Sequence, residues 1–290
     1  MANEVAAQGK VIHDPRPDSE KICFRREGSR LIYHYDAEEL WIEPWGKNSL
    51  RGRATHMTEM PQENWALTEL PETSDSEIEI HEDGSAELRH GKLIARFTAS
   101  GKLSFWNREG RQLLNEYVRN RRDITADFCS ALEVDAREFR PLIGGDYQVS
   151  MRFESLSAKE RLFGMGQYQH PYVDLKGTDL ELAHRNSQAS VPFVLSSLGY
   201  GFLWNNPAIG RVTFGKNITT WEAKSTKALD YWVTAGDTPA EIEEAYAAVT
   251  GKVPMMPDYA MGFWQCKLRY QTQEELLEVA RGYRKRGLPV

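Results

Sequence analysis

The chain has 290 residues, of which 41% are hydrophobic and 11% aromatic, enough apolar material for one large β domain or two ordinary domains. Its formal net charge is −6, and the basic cluster "RNRRD" at 119–123 is too short to track a phosphate backbone, so nucleic acid is not an expected partner. The N-terminal "MANEVAAQGKVIHDPRPDSEK" has no apolar signal core and no window approaches the roughly 18 apolar residues of a membrane span, which points to a soluble, cytoplasmic chain with no membrane partner.

Residues 1–21 read as an N-terminal tail. From residue 22 onward, short runs rich in Val, Ile, Phe, Tyr, Trp and Thr are punctuated by Gly, Asn and Asp, the pattern of antiparallel strands and their turns. "GKLIARFTASGKLSFWN" predicts two strands around Ala99, Ser100 and Gly101. "VPFVLSSLGYGFLWNN" predicts a second pair, with Gly199 and Gly201 giving a permissive backbone at the bend. "RVTFGKNITTWEAK" and "KALDYWVTAG" continue the series, and strands at this spacing with scarcely a helix among them predict a large β-sandwich.

The character changes at Asp237. Thr238 is a suitable N-cap, Pro239 fits the first helical position, and Glu241 completes a capping box. Ile242, Ala245, Tyr246 and Val249 then share one face and Gly251 is a fitting stop, so a helix is expected over 238–250. Pro254 and Pro257 follow, and the domain boundary is placed there: a sandwich domain over 22–253 and a second segment over 254–290.

In that segment "YAMGFWQC" reads as a parallel strand buried on both faces. The last helix has a capping box at Thr272 and Glu275, an apolar stripe of Leu276, Val279, Ala280 and Tyr283, and a stop at Gly287. Its acids lie toward the N-terminal half and its bases toward the C-terminal end, the order the helix dipole favours. "LPV" reads as the entry to a second parallel strand. One β/α unit cannot cover both faces of its strand, so this segment implies packing partners beyond its own residues.

The chemistry is sparse. Cys23, Cys129 and Cys266 have no metal or redox spacing, the seven histidines do not cluster, and no metal or cofactor is expected. With 42 acidic residues, suggestive pairs arise by chance, and Gly164-Met165-Gly166 reads as a turn between strands. Two stretches stand out. His184, Arg185 and Asn186 precede the apolar run "VPFVL" and are either an ordinary polar loop or donors to sugar hydroxyls. Trp264, Gln265, Cys266, Lys267 and Tyr270 fall at the end of the expected strand, where they face either a pocket or a packed interior. Trp and Tyr in such a place offer an apolar face for a sugar ring with a polar handle at its edge.

The ordered motifs "RLFGMGQ", "HRNSQASVPFVLSSLGYGFLWNN" and "LDYWVTAGDTPAEIEEAYAAVTGKVPMMPDYAMGFWQCKLRYQTQEELLEVARGYRKRGLPV" resemble glycoside hydrolase family 31, most of all its α-xylosidase-like branch. The resemblance is strong from about 160 to 290 and weak before 90. It implies a galactose-mutarotase-like β-sandwich followed by the first β/α unit of a (β/α)8 barrel. It also implies that His184, Arg185 and Asn186 lie on the loop the sandwich lends to the sugar pocket. Relatives often have an aspartate where Asn186 stands, and the amide keeps donor and acceptor but not the charge. Trp264 to Lys267 would be pocket wall, with Tyr270 an aromatic contact. The implied reaction is retaining hydrolysis of terminal α-linked xylose or glucose by two aspartates, a nucleophile and an acid/base. Neither aspartate motif occurs here, so the expectation is an N-terminal portion that does not turn over substrate alone. Its expected partner is an oligosaccharide, with further copies of itself in the full-length form. The alternatives are a non-catalytic carbohydrate-binding sandwich and a structural sandwich docked to a chain carrying the rest of a barrel.

Overall fold

The computed structural model describes residues 22–68, 76–119 and 134–289. The tail 1–21, Cys129, most of "RNRRD" and Val290 lie outside them. The described chain divides into two units after Gly251.

The first unit is a run of antiparallel strands. β1–β4 are a meander over Cys23–Glu27, Arg30–Tyr35, Glu38–Pro44 and Ser49–Thr55, and β5–β9 a second one over Ser76–Ile80, Ala86–His90, Leu93–Phe97, Leu103–Asn107 and Gln112–Asn115. β10–β13 follow at Arg137–Pro141, Tyr147–Glu154, Leu162–Gln167 and Asp179–Leu182, then β14–β18 at Ala189–Ser196, Tyr200–Trp204, Gly210–Phe214, Ile218–Thr226 and Leu229–Ala235. They form an eight-stranded sheet in the order β1-β2-β3-β4-β18-β15-β14-β12 and two five-stranded sheets, β10-β11-β17-β16-β13 and β5-β6-β7-β8-β9. The two smaller sheets meet at a bridge between Glu116 and Phe153. The expected strand pairs are present: β7 lies against β8 with Leu93 opposite Asn107, and β14 against β15 with Phe193 opposite Leu203.

One core joins all three sheets, because alternate residues of each strand point the same way. Tyr231 of β18 meets Phe105 of one small sheet, with ring centroids 6.3 Å apart, and Phe202 of β15 meets Phe153 and Trp221 of the other at 5.5 and 5.0 Å. The opposite face of the eight-stranded sheet is covered as well. There Phe193, Leu203 and Trp232 pack with Ile242 and Val249 of helix α1 (Pro239–Thr250). Burying each of those two aliphatic side chains contributes on the order of 2 kcal/mol. The Thr238 hydroxyl accepts from Glu241 N–H at 3.3 Å, and the Glu241 carboxylate accepts from Asp237 N–H at 2.9 Å, one residue earlier than a standard capping box.

The buried carboxylates Asp230 and Glu43 on this side of the sheet are paired. Asp230 accepts from Arg51 Nε and Nη2 at 3.0 and 2.6 Å and from Asn205 Nδ2 at 2.7 Å, while Glu43 accepts from both Arg53 and Arg30. β4 and β18 are therefore buried along their whole length on both faces.

Three expectations change. Gly199 does take a left-handed conformation, φ 91°, but Gly201 lies inside β15, where an added Cβ would come within 2.7 Å of Ile242 and 2.9 Å of Phe193. Its role is close approach of α1, not backbone freedom. Gly164-Met165-Gly166 is not a turn but a bulge within β12, where the register against β14 slips and buried Met165 adopts φ 69°. The third change lies in the second unit. "YAMGFWQC" is not a strand: Asp258–Met261 form a 3-10 turn and 262–272 are irregular. A parallel strand needs neighbours for its N–H and C=O groups, and the described residues after 251 contain none. Leu288 and Pro289 are likewise outside any strand.

Helix α2 (Gln273–Lys285) does form as expected, with Thr272 capping Glu275 N–H at 3.2 Å and Gly287 at φ 67° closing it. No helix among the described residues is long and apolar enough to cross a membrane.

Candidate functional site

The connection from β13 in one sheet to β14 in another makes a tight turn over Arg185–Gln188, closed by a bridge between those two residues. The Gln188 N–H donates to the Arg185 carbonyl at 3.0 Å, and Ser187 takes the left-handed conformation the tight turn requires, φ 65°. His184, Arg185 and Asn186 are all exposed at or beside this tip. The Arg185 guanidinium grips Glu181 with two hydrogen bonds of 3.0 and 2.7 Å. That hydrogen bonding holds Glu181 below the usual carboxylate range and raises Arg185 above its own. His184 Nδ1 accepts from Ser190 N–H at 3.4 Å. The turn is thus oriented by its own charges while its tip is exposed.

Tyr168, the residue directly after β12, supports this turn, and the sequence analysis did not single it out. Its hydroxyl lies 2.8 Å from both the Glu181 carbonyl and Ser190 Oγ, and burial raises its pKa. Its ring continues through His170 to Tyr172, with centroids 6.0 and 5.8 Å apart. The aromatic alternation in "QYQHPY" is the signal that could have marked it. His184 also lines a cleft of about 380 Å³ with Ser190, Pro192, Trp65 and Tyr246. Trp65 and Tyr246 reach it from a loop and from α1, so neither neighbours His184 in sequence.

In the second unit, the 3-10 turn and the N-terminus of α2 bring Gln265, Lys267 and Tyr270 together. Gln265 Nε2 donates to the Tyr270 hydroxyl at 3.1 Å, and Tyr283 Oη donates to Gln265 Oε1 at 2.5 Å. Lys267 pairs with Glu275 and sits 5.8 Å above the Tyr270 ring. The hydrogen bond from Lys267 depresses the Glu275 pKa. Gln265, Lys267, Glu275 and Tyr283 border a cleft of about 580 Å³, which Tyr270 does not line. Trp264 instead donates back to the Ala260 carbonyl at 2.7 Å, and Cys266 is an exposed free thiol. The five residues are exposed, or nearly so, on a loop rather than set at a strand end. Among the described residues no three His, Cys, Asp or Glu side chains converge as a metal site. Both candidate regions offer amide, guanidinium, ammonium and indole donors beside aromatic faces, which suits a neutral polyhydroxylated ligand.

Residues 253–290 match the family described as "Glycosyl hydrolases family 31 TIM-barrel domain". The chain matches glycoside hydrolase family 31. Its match falls on the N-terminal portion of such proteins. An "Uncharacterized family 31 glucosidase ORF2" of Pseudescherichia vulneris is 49% identical over 277 residues, covering 90% of this chain and 52% of the relative. "Alpha-xylosidase A" of Aspergillus niger is 29% identical, covering 92% of this chain and 38% of that protein. Among solved structures, a GH31 alpha-xylosidase from a soil metagenome, complexed with xylose, is 51% identical with a TM-score of 0.84, covering 92% of this chain and 40% of that one. The chain thus spans about half, or less, of the length of these family 31 relatives, and the family assignment expected from the motifs is met.

Proposed function

We propose that this chain is the N-terminal portion of a retaining α-glycosidase that releases terminal α-linked xylose or glucose from oligosaccharides. The observation that carries the reading is the order of parts: a complete sandwich, then a segment over 253–290 that matches the family 31 barrel. Relatives named alpha-xylosidase favour a xylose substrate. In this reading the turn with His184, Arg185 and Asn186 hydrogen-bonds sugar hydroxyls. Trp264, Gln265, Cys266, Lys267 and Tyr270 contribute the wall of the same sugar site once the barrel is complete. The acid/base and nucleophilic carboxylates are supplied by residues other than these.

The test is turnover of aryl α-xylosides and α-glucosides by the 290-residue chain and by the product of its full reading frame. The expected result is hydrolysis with retained anomeric configuration by the longer product and none by the chain alone. Turnover by the chain alone, surviving removal of contaminating hydrolases, overturns the placement of the catalytic groups. Inverted product configuration from the longer protein overturns the mechanism.

A further inference from the structure

The connection from β12 to β13 leads away from the turn at Arg185 and is pinned at both ends. At one end the Tyr168 hydroxyl is held by the Glu181 carbonyl and Ser190 Oγ, which flank His184, Arg185 and Asn186 in the chain. At the other, the Asp174 carboxylate accepts from Leu162 N–H and Lys176 N–H, both at 3.1 Å. Leu175, which is buried, adds a backbone hydrogen bond to the Leu162 carbonyl at 2.8 Å. Between these anchors Tyr172 and Val173 stand 62% and 77% exposed.

The Tyr172 ring is held as the end of a stack. Tyr168 and His170 lie nearly parallel, 16° apart in plane, and Tyr172 follows His170 with its plane tilted by 33°. The Tyr172 N–H also donates to His170 Nδ1 at 3.3 Å, so backbone and ring are fixed by the same imidazole. Among the described tyrosines of the first unit, Tyr172 alone is exposed. An ordered aromatic ring that the fold does not bury, two rings beyond the support of the turn, is a ready surface for the apolar face of a ligand.

We propose that Tyr172 is a leaving-group platform, on which the sugar next to the released residue stacks. This deepens the glycosidase reading above and rests on it. An enzyme that releases a terminal residue binds a single ring on the non-reducing side of the bond it cuts. A second sugar-binding surface, reached from the turn along the stack, therefore meets the other side, where the leaving group lies. The C–H face of a pyranose matches an aromatic face, while a leaving group without a ring finds nothing to stack on. The chemical class assigned to Tyr172 is thus a pyranose leaving group, with the hydroxyl pattern of that ring left to other contacts.

The test is steady-state kinetics of the product of the full reading frame, unaltered and as Tyr172→Ala and Tyr172→Phe, on two substrates. One is α-xylosyl-(1→6)-glucose, whose leaving group is a pyranose; the other is α-xylosyl fluoride, whose leaving group has no ring. Tyr172→Ala should lower kcat/KM for the disaccharide about tenfold, mainly through KM, and for the fluoride by less than about twofold. Tyr172→Phe keeps the stacking face and should restore most of the loss. Because the side chain is exposed, both variants should melt where the parent does. Equal losses on the two substrates, or no loss on either, overturn the platform and leave the glycosidase reading intact. Turnover of neither substrate by the unaltered protein overturns that reading, and the platform with it.

Discussion

The core tryptophans of the sandwich and Trp264, beyond Gly251, have opposite surroundings. Trp204, Trp221 and Trp232 of the sandwich are at most 1% exposed, whereas Trp264 is 71% exposed, and neither the 3-10 turn nor α2 buries a single residue. Composition does not explain this, since Met255, Met256, Tyr259, Met261 and Phe263 make the stretch around Trp264 strongly apolar and all are exposed. The difference is closure. Each sandwich strand finds its hydrogen-bond neighbours and its covering layer within residues 22–251, but a parallel β/α unit draws both from units beyond itself. An apolar sequence is buried only where the backbone polarity beside it is satisfied too.

The largest expected break in this contrast is at the core tryptophans. Trp232→Ala removes a fully buried indole and its hydrogen bond to the Trp45 carbonyl at 2.8 Å, and should cost about 3–5 kcal/mol in denaturant unfolding. Trp264→Ala should leave the midpoint of the same transition where it is; a comparable loss there would show that residues 252–289 unfold with the sandwich.

The ion pairs should divide in the same way. Asp230→Ala leaves Arg51 buried without its carboxylate and should cost about 3 kcal/mol or more. Glu275→Ala, which removes the exposed partner of Lys267, should leave the unfolding midpoint essentially where it is. Equal losses from the two would refute the contrast between a closed and an open unit.

Helix caps offer a finer comparison, since Thr238 and Thr272 make the same hydrogen bond to the third residue of their helices. Thr238→Ala should lower global stability by about 1 kcal/mol because α1 is packed on the sheet. Thr272→Ala should appear as lost helicity by circular dichroism with no shift of the main transition.

The smallest effect is a pH dependence. Burial holds His56, stacked 4.2 Å from Phe139, below its ordinary pKa, with Glu38 and Asp36 only partly opposing. The unfolded chain therefore takes up this proton first. The stability that His56 contributes as a neutral ring is fully present above about pH 6.5 and is lost as pH falls from there through the lowered folded value. His56→Phe should flatten that part of the profile. The helicity of α2 should hold until the carboxylate range, because Lys267 keeps the Glu275 pKa low; a change near neutrality there would contradict the assignment to His56.

Much of this was legible in the sequence where information is local. Both helices begin at the expected threonines, since a cap, a proline or glutamate and an apolar stripe act within a few residues. β7, β8, β14 and β15 follow from β-branched and aromatic runs between turn residues. The bulge at Met165 was not legible, because it depends on register against β14, nor was the spacing role of Gly201, which depends on a helix some forty residues later. Tyr259 to Cys266 read as a strand because apolar runs of that length usually are, but the reading presupposed neighbours. At the candidate site, His184, Arg185 and Asn186 were visible as a polar run before an apolar one. Trp65, Tyr168 and Tyr246 were not, since only the fold brings two loops and a helix to that turn and its cleft.

Gly201 bears on anyone who would stiffen this protein by trading glycine for alanine. The usual gain comes from restricting the unfolded chain, and Gly282 in α2 qualifies, since an added methyl there meets only the mobile end of Arg286 at 3.3 Å. At Gly201 the same methyl would wedge α1 away from β15 and open the seam lined by Phe193 and Ile242. A consensus-style screen that scores both glycines by their flexibility would rank them alike; hydrogen atoms are all that this seam has room for.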